Sequence, residues 1–250
     1  MLDLDIATFG LILARTTGWV AVVPVLGAGT PGTAIGRIAA ALSLAAFAST
    51  LTPPATEVES IVGYFVLLGG QMVYGLVLGW LTALVLLAFE AAGGAIDLFS
   101  GLNVMTVLNP ATGNSSAVVA TFFRMAFLAA IFVTDAHLMI IGGFLRSFQG
   151  SPPGQLPVLA EDSALAVGDA LATTLLSALE IGAPVLGALL LAEVAVAIAA
   201  RFAPQANVFL VGMPLKMIVT LSALSGVLLY LPVYAERIAE ASVRIGGLVS

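Results

Sequence analysis

Arg201-Phe-Ala-Pro-Gln-Ala-Asn-Val-Phe-Leu-Val-Gly-Met-Pro-Leu-Lys216 sets two cations, two prolines and an amide pair within sixteen residues, between long apolar runs. Lipid penalises unsatisfied backbone and isolated charge, so irregular polar sequence at such depth requires an interior lined by protein. A plain membrane anchor has no use for it.

The surroundings of that stretch set the class. The chain is 60% hydrophobic and 9% charged, with a mean hydropathy of +1.14, where a soluble domain carries about 25% charge. Asp, Glu, Lys and Arg are absent from Ile61 to Phe89, from Leu98 to Phe123 and from Met217 to Ala235. Each gap approaches or exceeds the ~20 apolar residues that span a bilayer core. The sequence predicts an all-α, polytopic membrane protein in contact with membrane lipid.

Composition also excludes functions. A net charge of −6 argues against a nucleic-acid partner, which needs a basic surface. With no cysteine there is no disulfide, thiolate or cysteine-metal chemistry. The start, Met1-Leu-Asp-Leu-Asp5, is acidic where a secretory signal is basic, so the first apolar segment is expected to be retained.

Turn and charge punctuation predicts six long helical segments, arranged in hairpins and partly broken. They cover about Ile6–Leu26, Thr33–Leu51, Glu59–Gly101, Ala117–Phe148, Ser163–Arg201 and Val208–Leu231, with a short amphipathic tail carrying Glu236, Arg237, Glu240 and Arg244. At ~1.5 Å per residue the third is roughly 60 Å long against a ~30 Å hydrocarbon core, so it must tilt, break or leave the bilayer. Gln149-Gly-Ser-Pro-Pro-Gly-Gln155 reads as the clearest linker, extended by Pro157. Arg146, Arg237 and Arg244 on one side against Arg37 and Arg201 on the other do not decide orientation. No internal repeat of the kind found in secondary transporters is visible.

Several residues are candidates for function. Glu90, Gly94, Asp97 and Gly101 recur at helical spacing and share a face. That face reads as one that meets protein, since intramembrane carboxylates seldom meet lipid. The loop Asn103–Ser116 mixes small polar residues with Val104, Met105, Val107 and Leu108, too apolar for an ordinary exposed connector; Asn109-Pro110 and Gly113-Asn114 mark turns in it. A loop folded into an assembly, or plugging a conduit, fits better. Arg124 and Asp135, eleven residues apart, fall on nearly the same helix face.

His137 is the one histidine, and with no second imidazole it reads as structural. Gly32-Thr-Ala-Ile-Gly36 and Gly75-Leu-Val-Leu-Gly79 permit close helix approach. Pro184 favours a kink in the fifth segment, with Glu193 further along it; Pro204 and Pro214 bracket the last hairpin connection, and Lys216 stands at an apolar edge where it can snorkel or meet a carboxylate. There is no Walker loop, nucleophile elbow or paired metal site, so no catalytic residue, cofactor or metal is expected.

The motif Arg201-x-x-Pro204-Gln205-x-Asn207-Val208-Phe209-x-x-Gly212-x-Pro214-Leu215-Lys216, preceded by Ala183-Pro184, resembles the flagellar FliR family and its type III secretion counterpart, the SctT family. Asn109-Pro110, Asp135-Ala-His137 and Ser147-Phe148 extend the likeness, and the order of these features covers about residues 85 to 232. Asn109 departs from the Asp common in the family, which removes a charge from the loop, and Ala136 departs from its Gly, a minor packing change.

The resemblance implies a non-enzymatic subunit of an export gate for unfolded flagellar substrates. It implies assembly with FliP-like and FliQ-like subunits into a helical cone, contact with an FlhB-like subunit, and a place in the inner membrane within the flagellar basal body. Residues 1–155 would be FliP-like, with a pore plug at 103–116 that includes Met105, Val107, Leu108, Asn109 and Pro110; residues 156–250 would form a FliQ-like hairpin and tail. Glu90, Asp97, Arg201, Pro204, Gln205, Asn207, Phe209, Pro214 and Lys216 would make hairpin and inter-subunit contacts. A virulence secretion gate is the nearest alternative. A self-contained solute transporter, with Glu90, Asp97, Asp135 and Glu193 as coupling carboxylates, is the next, and a purely structural membrane scaffold the third.

Overall fold

The computed structural model describes residues 6–23, 34–53, 60–101, 117–157, 163–202 and 208–234. Among the described residues the regular structure is entirely helical: α1 (Ile6–Val22), α2 (Ala34–Leu51), α3 (Ile61–Ser100), α4 (Val118–Val133), α5 (Ala136–Gly150), α6 (Ser163–Phe202) and α7 (Val208–Leu228). Ala34–Leu51, Ile61–Leu84 and Leu171–Phe202 are each long and apolar enough to cross a membrane, and α4 with α5 make a fourth span if the pair is counted as one. The chain is an all-α membrane protein.

The long third segment is a single unbroken helix of 40 residues. Tilt or protrusion therefore absorbs its excess length. It ends at Gly101, whose φ of 75° is the left-handed conformation that glycine adopts without steric cost at a helix C-terminus.

The fourth expected segment is corrected to two helices. Thr134 and Asp135 separate α4 from α5, with Asp135 at φ 56°, a left-handed value that Asp tolerates better than bulkier residues. The Thr134 N–H and hydroxyl both donate to the Ala130 carbonyl, and the Asp135 carbonyl accepts from Leu138 N–H to start the next helix. The shared face expected for Arg124 and Asp135 does not survive this break, because helical periodicity requires one continuous helix. Pro214 lies inside α7, as the expected sixth segment from Val208 places it. Its fixed φ suits a helix, and the helix loses one backbone hydrogen bond there. α6 runs through Pro184 without interruption.

The chain divides into two compact units, each discontinuous in sequence. Of the described residues, the first takes those before 86 and Asp135–Leu171; the second takes Leu86–Thr134 and those from Ala172 to Tyr234. In the first, Leu11, Ile12, Trp19 and Val20 of α1, Tyr74 and Leu78 of α3, and Ile140, Phe144 and Phe148 of α5 are buried. Trp19 stacks on Phe144 at 4.4 Å between ring centroids, and Phe148 meets Phe144 edge-on. The core of the second unit holds Phe89, Ala92 and Ile96 of α3, Phe123 and Phe127 of α4, and Ile181, Val185 and Leu189 of α6. Phe89 and Phe127 stack at 3.9 Å.

Glycine decides how closely α1 and α3 approach. A Cβ on Gly18 would strike the Met72 carbonyl, one on Gly75 the Arg15 carbonyl, and one on Gly79 would lie 2.8 Å from the Trp19 carbonyl oxygen. The two expected close-packing glycine pairs thus differ in kind. Gly75 and Gly79 sit against a neighbouring backbone, whereas Gly36 has nothing within 4 Å.

Gly75→Ala is therefore expected to force α1 from α3 at a cost of about 1–3 kcal/mol or more, while Gly36→Ala is neutral. Thermal unfolding of the detergent-purified variants checks this, and equal melting temperatures for the two would contradict it.

Candidate functional site

Among the described residues, each unit holds a polar centre built from this chain's own groups. The first surrounds Arg15, the lone cation of α1, which is fully buried. Its Nε donates to Gln71 Oε1 at 2.7 Å, Nη1 to the Ser147 carbonyl at 2.9 Å, and Nη2 to the Ser151 carbonyl at 2.8 Å. Gln71 Nε2 continues the network to the Pro153 carbonyl at 3.1 Å and the Gln155 carbonyl at 2.9 Å. The guanidinium carbon lies 4.4 Å from the Phe148 ring centroid and 4.8 Å from that of Tyr74, within cation–π range.

The chemistry explains the residue types. A planar guanidinium sends N–H groups in several fixed directions, and a glutamine amide adds two donors beside one acceptor. Together they satisfy carbonyls of the last turn of α5 and of the Pro152-Pro153 segment beyond it. The linker is tied down: the Ser151, Pro153 and Gln155 carbonyls are bound, Leu156 is close to Gly70, and Pro153 is buried. Sequence reading missed this centre, although the signal is present. Arg15 interrupts an apolar helix, and Gln71 is the lone amide of the 24-residue apolar stretch Ile61–Leu84.

The second centre joins α3 to α4. Asp97, 1% exposed, accepts the Val119 N–H on Oδ1 and the Ala120 N–H on Oδ2, each at 3.0 Å. These amides belong to the first turn of α4, where backbone donors lack helical partners and a negative charge is favoured. Farther along the second unit, Lys216 of α7 forms an ion pair with Glu193 of α6, and Gly212 packs against Val196.

The remaining expected site residues are placed as follows. Glu90 is exposed on α3 whereas Asp97 is buried, so the two carboxylates expected on one face have separate surroundings. Arg201 is exposed in the last turn of α6, where a cation suits the helix C-terminus. Pro214 is exposed on α7, Phe209 belongs to the same helix, and His137 is half-buried on α5. Met105, Val107, Leu108, Asn109, Pro110, Pro204, Gln205 and Asn207 lie outside the described residues. Among the described residues no cluster of His, Cys, Asp or Glu is arranged to hold a metal.

Long apolar helices, with buried polar groups bound to the chain's own backbone, define an integral membrane protein. Residues 6–243 match the family described as bacterial export proteins, family 1. The chain is 30% identical over 217 residues to the flagellar biosynthetic protein FliR of Bacillus subtilis (strain 168), covering 85% of this chain and 82% of that one. It is also 26% identical over 219 residues to the Yop proteins translocation protein T of Yersinia pestis, covering 86% and 84%. A third relative is the surface presentation of antigens protein SpaR of Shigella sonnei, 30% identical over 60% of this chain and 58% of that one. The chain belongs to the bacterial export protein family that includes the flagellar FliR proteins and their secretion counterparts.

Gln71→Leu would strip the Pro153 and Gln155 carbonyls of their donor, at about 1–3 kcal/mol for each group left unpaired. Arg15→Lys keeps the charge and loses the fork, so it is expected to destabilise nearly as much as Arg15→Met. Thermal unfolding, with protease susceptibility of the 151–157 segment as a second readout, checks both; a Lys variant as stable as wild type would show that charge alone suffices.

Proposed function

We propose that this protein is a non-enzymatic subunit of the flagellar type III export gate, forming part of the inner-membrane passage for unfolded flagellar substrates within the basal body. The observation that carries the reading is the surface of α6. Leu175, Leu176, Leu179, Leu190, Leu191 and Ile198 are exposed on a span that also exposes Glu180. At the centre of a bilayer a carboxylate costs about 2.5–3.5 kcal/mol even on the lenient insertion scale. Protein neighbours that supply both apolar contact and hydrogen-bond donors remove that cost.

Those neighbours are FliP-like, FliQ-like and FlhB-like subunits, and the division at residue 155 into a FliP-like and a FliQ-like part belongs to the same reading. Glu90, Asp97, Arg201, Pro204, Gln205, Asn207, Phe209, Pro214 and Lys216 are the proposed hairpin and inter-subunit residues. Asp97 and Lys216 act by shaping the surface from within, since their charges are engaged inside this chain. The higher identity to the FliR protein than to the Yop translocation protein, at like coverage, favours a flagellar system over a virulence one. A transporter fares worse: Asp97 and Glu193, two of its coupling carboxylates, have intramolecular partners.

The segment 103–116 acts as the resting closure of the passage, with Met105, Val107, Leu108, Asn109 and Pro110 at its centre. Deleting residues 104 to 113 is expected to raise ion leakage through the co-expressed gate in a membrane-conductance assay, and unchanged leakage would reject the closure. Lys216→Ala and Gln205→Ala are each expected to lower recovery of the co-purified assembly and export with it; normal recovery of both variants would remove the hairpin-contact role.

A further inference from the structure

α4 lacks a cap of its own. Its N-cap residue is Ala117, which has no side-chain acceptor and makes no side-chain cap hydrogen bond. Helices usually obtain that acceptor from Ser, Thr, Asp or Asn at the cap itself. Here it comes from another helix: the Asp97 carboxylate, 22 residues before Val119, takes two successive N–H groups, one on each oxygen.

The setting makes this contact more than a cap. Asp97 is in the last turn of α3, and its own carbonyl accepts the Ser100 hydroxyl. One turn earlier, Gly93 brings the two backbones together, for a Cβ there would lie 2.8 Å from the Ala120 nitrogen. Further back the joint is apolar, with Phe89 stacked on Phe127 and Phe123 fully buried. Apolar contact is non-directional and lets helices slide. The paired carboxylate bonds fix register and separation at the point where the chain leaves α3 and re-enters α4.

We propose that Asp97 is a positioning residue that latches α3 to α4, and that releasing it parts the two helix ends bounding the central segment. The idea deepens the reading of that segment as a closure and rests on it only for the consequence, not for the latch.

The test uses the full chain in the co-expressed assembly. The sequence contains no cysteine, so Phe99→Cys with Val118→Cys, both exposed, accepts a pair of spin labels directly. The parent protein is expected to give one short, narrow inter-label distance. Asp97→Asn, which replaces one acceptor by an amide donor facing N–H groups, is expected to shift that distribution to longer and broader values. Asp97→Ala combined with Ala117→Asp returns a local cap to α4 but no bond to α3, and is expected to show the same shift while remaining folded.

A narrow distance in either variant overturns the latch; in the double variant it would show Asp97 to be a cap alone. Ion leakage of the same preparations separates the two ideas. A widened distance with raised leakage supports both, and a widened distance with parental leakage keeps the latch and removes the closure.

Discussion

A guanidinium that cannot reach water must find its partners in the protein, and Arg15 finds them in carbonyls that would otherwise be stranded. Its fork and the Gln71 amide together engage carbonyls at Ser147, Ser151, Pro153 and Gln155. The need is mutual. Pro152 and Pro153 cannot donate, and a chain turning back at an apolar surface has few donors of its own for its oxygens. One buried cation therefore sets where α5 ends, how the next stretch runs, and how α1 and α3 stand against it. The glycine contacts between α1 and α3 serve the same end, because Arg15 and Gln71 must come within hydrogen-bond reach across that helix pair.

The second unit solves the same problem with the opposite charge. Asp97 supplies acceptors where α4 exposes donors, and Lys216 with Glu193 neutralises a pair of charges along the last two helices. In each case a charged side chain near one helix completes the backbone or the charge of another. What remains on the outside is a surface rich in leucine, with isolated carboxylates such as Glu180. Such a surface suits neither water nor lipid alone.

Much was legible in the residues. The apolar gaps marked the membrane class, Gly101 marked the end of the long helix, and Pro204-Gln205 with Gly212-x-Pro214-Leu215-Lys216 pointed to the family that residues 6–243 match. Asp97 stood out as an intramembrane carboxylate, but its partners did not, since backbone N–H groups leave no mark in a sequence. Arg15 went unnoticed because a lone cation in an apolar helix looks the same whether it snorkels outward or is enclosed. The break at Asp135 was hidden for a related reason: Thr134-Asp135 carries neither Pro nor Gly, and the left-handed turn there is a backbone event.

Local chemistry alone settled the membrane class and the helical character of this chain, because the hydrophobic excess and the scarcity of charge act residue by residue. Tertiary structure alone decided which polar groups meet: Arg15 with the carbonyls beyond α5, Asp97 with the start of α4, and Lys216 with Glu193. The physical reason is that hydrogen bonds and ion pairs are short-ranged and directional. Their existence depends on angstrom-scale placement of segments distant in sequence, which periodicity and composition do not encode.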